Sequence, residues 1–132
     1  MDKVQLEEGS QFALQFEKRG GLLPVVVQES STGQILIVAS ANQEAVEKTL
    51  KTRKATFWST SRNQIWTKGE TSGNSLLLDE ILTDCDQDAL IYKVTIENGG
   101  ACHTFNQAQE SRKSCFYRKL DLQEGELVFL ER

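Results

Sequence analysis

Apolar and polar residues alternate along much of this chain. Leu90, Tyr92, Val94 and Ile96 alternate with Ile91, Lys93, Thr95 and Glu97, the period-two pattern of a strand with one buried face and one mostly wet face. PVVVQ (24–28) and QILIVA (34–39) are β-rich runs separated by ESSTG, which predicts a hairpin closed at Gly33. Phe12, Leu14 and Phe16 alternate as well, predicting a strand ahead of the Arg19-Gly20-Gly21 turn. Further strands are predicted over 55–61, 64–67, 75–83, 114–120 and 126–130. One stretch changes period. Ala45, Val46, Thr49 and Leu50 share one face of a helix over 43–51, with Asn42 as its N-cap. Many short strands with one or two short helices predict a mainly β, α+β fold, built as an antiparallel sheet or distorted barrel.

At 132 residues the chain is sized for one domain spanning 1–132. Its apolar fraction of 39% and charged fraction of 26% are ordinary for a soluble globular protein. The net charge of −4 argues against a nucleic-acid surface, which needs a basic stripe. No apolar run is long enough to cross a membrane, and MDKVQLEEGSQ lacks the apolar region of a signal peptide. A cytoplasmic setting, where thiols stay reduced, is therefore expected. The three cysteines then lean toward metal binding or catalysis rather than a disulfide framework.

Three constellations could carry chemistry. In TDCDQDAL (83–90), Asp84, Asp86 and Asp88 fall on one side of an extended segment, with Cys85 facing the other way. Such crowded carboxylates suit a hard cation, Mg²⁺ or Ca²⁺; a solvated acidic turn is the plainer alternative. Cys85, Cys102 and Cys115 would give zinc three sulfur ligands and one open position, although no CxxC pair is present and three unrelated buried thiols would also fit. His103 follows Cys102, and an imidazole is a side chain suited to general acid–base work, although a lone histidine is more often a bystander. Last, FWSTSRNQIW leads into KGETSG (68–73), where Gly69 and Gly73 allow tight turns. Thr71 and Ser72 offer hydroxyls there, and Lys68 and Arg62 offer positive charge, together a phosphate cradle. Trp58 and Trp66 could stack on a base or fill the core.

The ordered set FWSTSRNQIWTKGETSGN (57–74), DCDQDAL (84–90) and GGACHT…SRKSCFYR (99–118) resembles the phosphoribosyl-AMP cyclohydrolase family of histidine biosynthesis. The resemblance runs from about residue 21 to 120. It implies hydrolytic opening of the adenine ring of 1-(5-phosphoribosyl)-AMP at the N1–C6 bond. It also implies a homodimer that shares metal ligands across its interface, with zinc on Cys85, Cys102 and Cys115 and magnesium on Asp84, Asp86 and Asp88. His103 becomes the candidate catalytic proton carrier. Trp58, Arg62, Lys68, Gly69, Glu70, Thr71 and Ser72 become the nucleotide-binding set. The chain departs from the family pattern in a longer loop over 105–113, with Phe105 after ACHT, and in Thr60 where an arginine is usual.

Two other readings stay open at this stage. A divergent paralogue would act on another nucleotide. A small non-catalytic module would use zinc only for stability, through a closed site such as three cysteines with His103. A nucleobase deaminase is disfavoured, because its P-C-x-x-C pair is missing.

Overall fold

The computed structural model describes residues 1–132. A short helix α1 (Lys3–Glu8) opens the chain, followed by irregular backbone and a single 3₁₀ turn at Glu17–Arg19. The elements then run β1 (Leu23–Glu29), β2 (Ile35–Ala41), α2 (Gln43–Thr52), β3 (Thr56–Ser59), β4 (Gln64–Thr67), β5 (Leu76–Thr83) and β6 (Leu90–Ile96). A final hairpin comprises β7 (Arg118–Leu120) and β8 (Leu127–Phe129).

The main sheet has six strands in the order β4-β3-β2-β1-β6-β5. Every neighbouring pair is antiparallel except β1 with β6, which run parallel. The sheet is therefore mixed rather than wholly antiparallel. It also curls. Just before β3, Lys54 bridges Leu77 of β5, and the Ala55 N–H donates to the Leu76 carbonyl at 2.9 Å while the Leu78 N–H donates to Arg53 at 2.8 Å. These bonds draw the two ends of the sheet toward each other, giving an incomplete barrel.

Side-chain alternation explains the core. On β6, Leu90, Tyr92 and Val94 are buried, as the period-two pattern predicts, and they meet Val25 and Val27 of β1. Phe57 and Tyr92 are fully buried with ring centroids 6.0 Å apart. Burying a side chain of this size contributes about 1.5–3 kcal/mol. Helix α2 is capped by the Asn42 side chain, which accepts from the Ala45 N–H at 2.9 Å. It lays Ala45, Val46 and Thr49 on the sheet. Leu50, expected on that inner face, is exposed instead and borders a groove with Phe12, Leu14 and Phe16.

Two further expectations are corrected. Residues 12–16 form no strand, because their polar backbone is satisfied by a turn rather than a neighbouring strand: Gln87 receives the Ala13 N–H on its side chain at 2.8 Å and the Gln15 N–H on its carbonyl at 2.9 Å. The strand expected over 114–120 is confined to Arg118–Leu120. Ahead of it, Ser114 and Cys115 bond to the start of β2, through Ser114 Oγ to the Ile35 carbonyl at 2.7 Å and the Cys115 N–H to Leu36 at 2.8 Å.

Candidate active site

The longer loop between Cys102 and Cys115 closes as a ladder. Ala101 N–H donates to the Lys113 carbonyl, Cys102 N–H to Arg112, and Arg112 N–H back to Thr104, at 2.9–3.0 Å. The extra residues form only its tip, where the Asn106 N–H donates to Glu110 at 2.9 Å. A longer tip therefore leaves the two cysteine segments side by side, since closure entropy rises slowly with length.

Both thiols are free, and they interact. Burial, then the charge and contact of Cys102, push the Cys115 thiol up to about 11, with Lys68 opposing. Burial also pushes the Cys102 thiol up, but donors around its sulfur outweigh that and hold it below its ordinary value. The Thr104 hydroxyl lies 3.0 Å from Cys102 Sγ and the Thr104 N–H 3.4 Å away. Arg112 in turn donates to the Thr104 hydroxyl at 3.3 Å, with its guanidinium stacked 4.0 Å above the Tyr117 ring. The two thiols are thus tuned in opposite directions, and as thiolates they are soft donors of the kind that zinc takes.

The β4–β5 loop carries KGETSG over the same region. Gly69 and Gly73 both have positive φ, and a Cβ on Gly69 would collide with the Ser75 backbone. Lys68 is buried, reaching the Asn74 carbonyl at 3.4 Å. Burial lowers its pKa, and the nearby cysteines partly restore it. Together the two loops enclose a cleft of about 680 Å³. Arg62, Lys68, Gly69, Glu70, Thr71 and Ser72 line it, as do Cys102, His103 and Cys115.

Not every expected residue is in this cleft. Trp58 lies in a neighbouring groove that shares Arg62 and Trp66, and of the two indoles only Trp66 also lines the cleft. Across β3–β4, Trp66 pairs with Phe57 and Trp58 with Ile65, and it is Trp66 that this register carries to the cleft. Asn74, unremarked in the sequence, also lines the cleft.

The aspartates gather elsewhere, in the β5–β6 turn. One oxygen from each of Asp84, Asp86 and Asp88 falls within 4.8 Å of the others. This convergence comes from a turn and not from strand alternation. Gln87 has a positive φ, and Asp84 Oδ1 accepts the N–H groups of Asp88 and Ala89 at 2.9 and 3.1 Å. Burial, with Asp88 beside it, raises the Asp84 pKa. The Lys18 ammonium holds the Asp88 carboxyl well below the usual range. Cys85 is exposed on this turn, bordering a pocket with residues of the N-terminal segment. Within one chain it does not join the Cys102–Cys115 cleft.

A sequence model of phosphoribosyl-AMP cyclohydrolase matches residues 37–117, the stretch holding both loops and the aspartate turn. The chain belongs to that family. It is an enzyme of the cyclohydrolase type, within histidine biosynthesis. Among similar cyclohydrolases, that of Chelativorans sp. (strain BNC1) is 45% identical over 131 residues, covering 98% of this chain and 89% of the relative. That of Nitrosopumilus maritimus is 48% identical over 107 residues, 81% of this chain and 93% of the relative. The histidine biosynthesis bifunctional protein HisIE of Thermus thermophilus is 47% identical over 118 residues, 89% of this chain but 51% of that longer protein. No helix of this cyclohydrolase is long and apolar enough to cross a membrane.

Proposed function

We propose that the cleft binds 1-(5-phosphoribosyl)-AMP and opens its adenine ring by hydrolysis at the N1–C6 bond. The observation that carries this reading is the shared cleft: a soft thiol pair, an imidazole, a buried ammonium and the KGETSG loop all face one space. Lys68 and Arg62 offset phosphate charge, while Thr71, Ser72 and loop N–H groups orient the anion. In the reaction, water adds its oxygen to C6, the C6–N1 bond breaks, and N1 gains a proton. That oxygen ends as the carboxamide oxygen of the product. His103, exposed at the cleft, is the residue proposed to take the proton from water and return it to N1.

The donor set fits zinc, with Cys102 and Cys115 of one chain and Cys85 of a second copy as ligands. Zinc, when bound, supplies Lewis-acid activation of water near neutral pH. In this reading a homodimer joins the third sulfur to the other two, because Cys85 is exposed and lies outside the cleft that Cys102 and Cys115 line. Asp84, Asp86 and Asp88 fit magnesium through hard oxygen donors.

The experiment is inter-chain complementation. Cys85→Ser and Cys102→Ser are each expected to be folded and inactive in a spectral assay of ring opening. Mixing and re-annealing them restores one intact composite site per heterodimer, and so about a quarter of wild-type turnover, with zinc content rising in parallel. Inactivity of every mixture, with both variants folded and heterodimers formed, would refute the shared site. If instead Cys102→Ser unfolds the chain, the thiols hold the fold and the catalytic role is lost.

A further inference from the structure

The proposed chemistry gives Lys18 no role. Lys18, at the 3₁₀ turn, places its Nζ 2.6 Å from Asp86 Oδ2 and 2.9 Å from Asp88 Oδ2. Arg19 reaches the same Asp88 oxygen at 3.2 Å. The Asp88 side chain is only 4% exposed, whereas that of Lys18 is 53% exposed. A nearly buried carboxylate is thus matched by an ammonium that has open solvent to swing into. The chain itself supplies a cation to the cluster.

The Lys18 turn closes on its own backbone, with the Arg19 and Gly21 N–H groups donating to Phe16 and the Gly20 N–H to Glu17, and the segment ahead of it is tied down separately. The Gln87 side chain accepts from Ala13 N–H and donates to the Leu6 and Gln11 carbonyls at 2.8–3.2 Å. This clamp keeps the N-terminal segment on the aspartate turn whatever the lysine does. Arg19 contacts Asp88 alone, so Lys18 is the group that bridges two of the three carboxylates. An ammonium hydrogen-bonds oxygen at about 2.7–2.9 Å, whereas Mg²⁺ needs its oxygens at about 2.0–2.1 Å. An ammonium held this close to both carboxylates puts a positive charge beside any divalent ion there, so Lys18 and the ion repel and compete for the same negative charge.

We propose that Lys18 is a built-in counter-ion of the aspartate cluster, offsetting part of its charge in the metal-free chain and leaving Asp86 and Asp88 when a divalent cation binds. This inference rests on reading Asp84, Asp86 and Asp88 as a divalent-cation site. Its consequence is twofold. The metal-free turn stays compact without an ion, and Mg²⁺ affinity is weakened by the ion pairs it must break. Metal arrival is then coupled to release of the Lys18 amine.

The test uses the full-length protein, stripped with chelator, as wild type, Lys18→Met and Asp86→Asn. Mg²⁺ is titrated by calorimetry, and Lys18 is followed in the wild type by amine labelling and mass spectrometry. Lys18→Met keeps the apolar stem and removes the charge. It is expected to bind Mg²⁺ about two- to fivefold more tightly than wild type, within the range open to a partly exposed ion pair. Saturating Mg²⁺ is expected to raise Lys18 labelling several-fold, with Lys3 labelling unchanged. Equal affinities, or unchanged Lys18 labelling at saturation, would overturn the counter-ion role while leaving the metal site standing. Absence of Mg²⁺ binding in all three proteins, or binding that Asp86→Asn does not weaken, overturns the metal site and the inference with it. If Lys18→Met does not fold, the wild-type labelling decides alone.

Discussion

The Cα of Gly100 sits directly against the Arg112 carbonyl, leaving no room for a Cβ between them. That contact lets the Cys102 and Cys115 segments pair, since the Gly100 N–H also donates to Ser111 Oγ at 2.6 Å. Gly100→Ala is expected to force the ladder apart and cost about 2 kcal/mol or more, by an overpacking mechanism. Zinc retention should fall with it. Gly73 is the contrast. A Cβ there meets nothing, although its φ is positive, so Gly73→Ala should cost only the 1–2 kcal/mol of a left-handed backbone. Denaturant midpoints and metal content of the two variants check this, and equal behaviour would refute the steric account.

Gln87 stands at the centre of the aspartate turn, yet its side chain serves the N-terminal segment. Gln87→Ala leaves the Ala13 N–H and the Leu6 and Gln11 carbonyls without partners. An expected loss of about 1–3 kcal/mol follows from unpaired polar groups, with faster proteolytic cleavage around residues 6–15. Gln87→Glu should rescue little, because a carboxylate accepts the amide proton but cannot donate to either carbonyl. If proteolysis is unchanged in both variants, the segment is held by something other than this amide.

These two residues also show how far the sequence was legible. The alternation on Leu90–Ile96 and the Asn42 cap report local physics, and both elements form as expected. Phe12, Leu14 and Phe16 alternate too, but period-two spacing reports an extended backbone and not a strand partner, and here the partner is a glutamine side chain. Helix α1 carries no apolar stripe, so only the reciprocal Asp2–Gln5 capping box marks it in the sequence. The cleft residues were legible as an ordered set of motifs, whereas the choice between Trp58 and Trp66 needed the β3–β4 register. Cys85 was legible as a candidate beside Cys102 and Cys115, but it sits on a different turn, so a single chain does not bring the three sulfurs together.

Thr104 is expected to matter through the sulfur it touches. Its hydroxyl and N–H both approach Cys102 Sγ, and Arg112 fixes the hydroxyl from behind. Thr104→Val keeps the shape and removes the hydroxyl. Partners of this kind typically alter metal affinity or activity by about 10–100-fold. Zinc should therefore be lost to chelator sooner in Thr104→Val, with kcat reduced and KM little changed, and Thr104→Ser should restore both. Chelator-release rates measured beside kinetics separate this from a packing defect, in which the serine variant would resemble valine.

Glu29, at the end of β1, ties the sheet to the cysteine loop. Its carboxylate lies 2.6 Å from the Lys113 ammonium and accepts from the Thr32 hydroxyl at 2.6 Å, and these partners, Lys113 first, hold its pKa below the usual 4.5. A carboxyl whose folded pKa is depressed stabilises the fold above its unfolded pKa, and that contribution is lost as pH falls through the folded value. Wild type should therefore exceed Glu29→Gln in stability at neutral pH, by no more than about 1 kcal/mol once solvent screening is allowed for. The gap should close as pH drops below 4.5. Lys113 also supplies the carbonyl that receives the Ala101 N–H, so added salt at neutral pH should narrow the same gap while loosening the cysteine ladder. Urea midpoints across pH and ionic strength measure it, and a difference that persists unchanged in acid would mean that Glu29 acts through packing rather than charge.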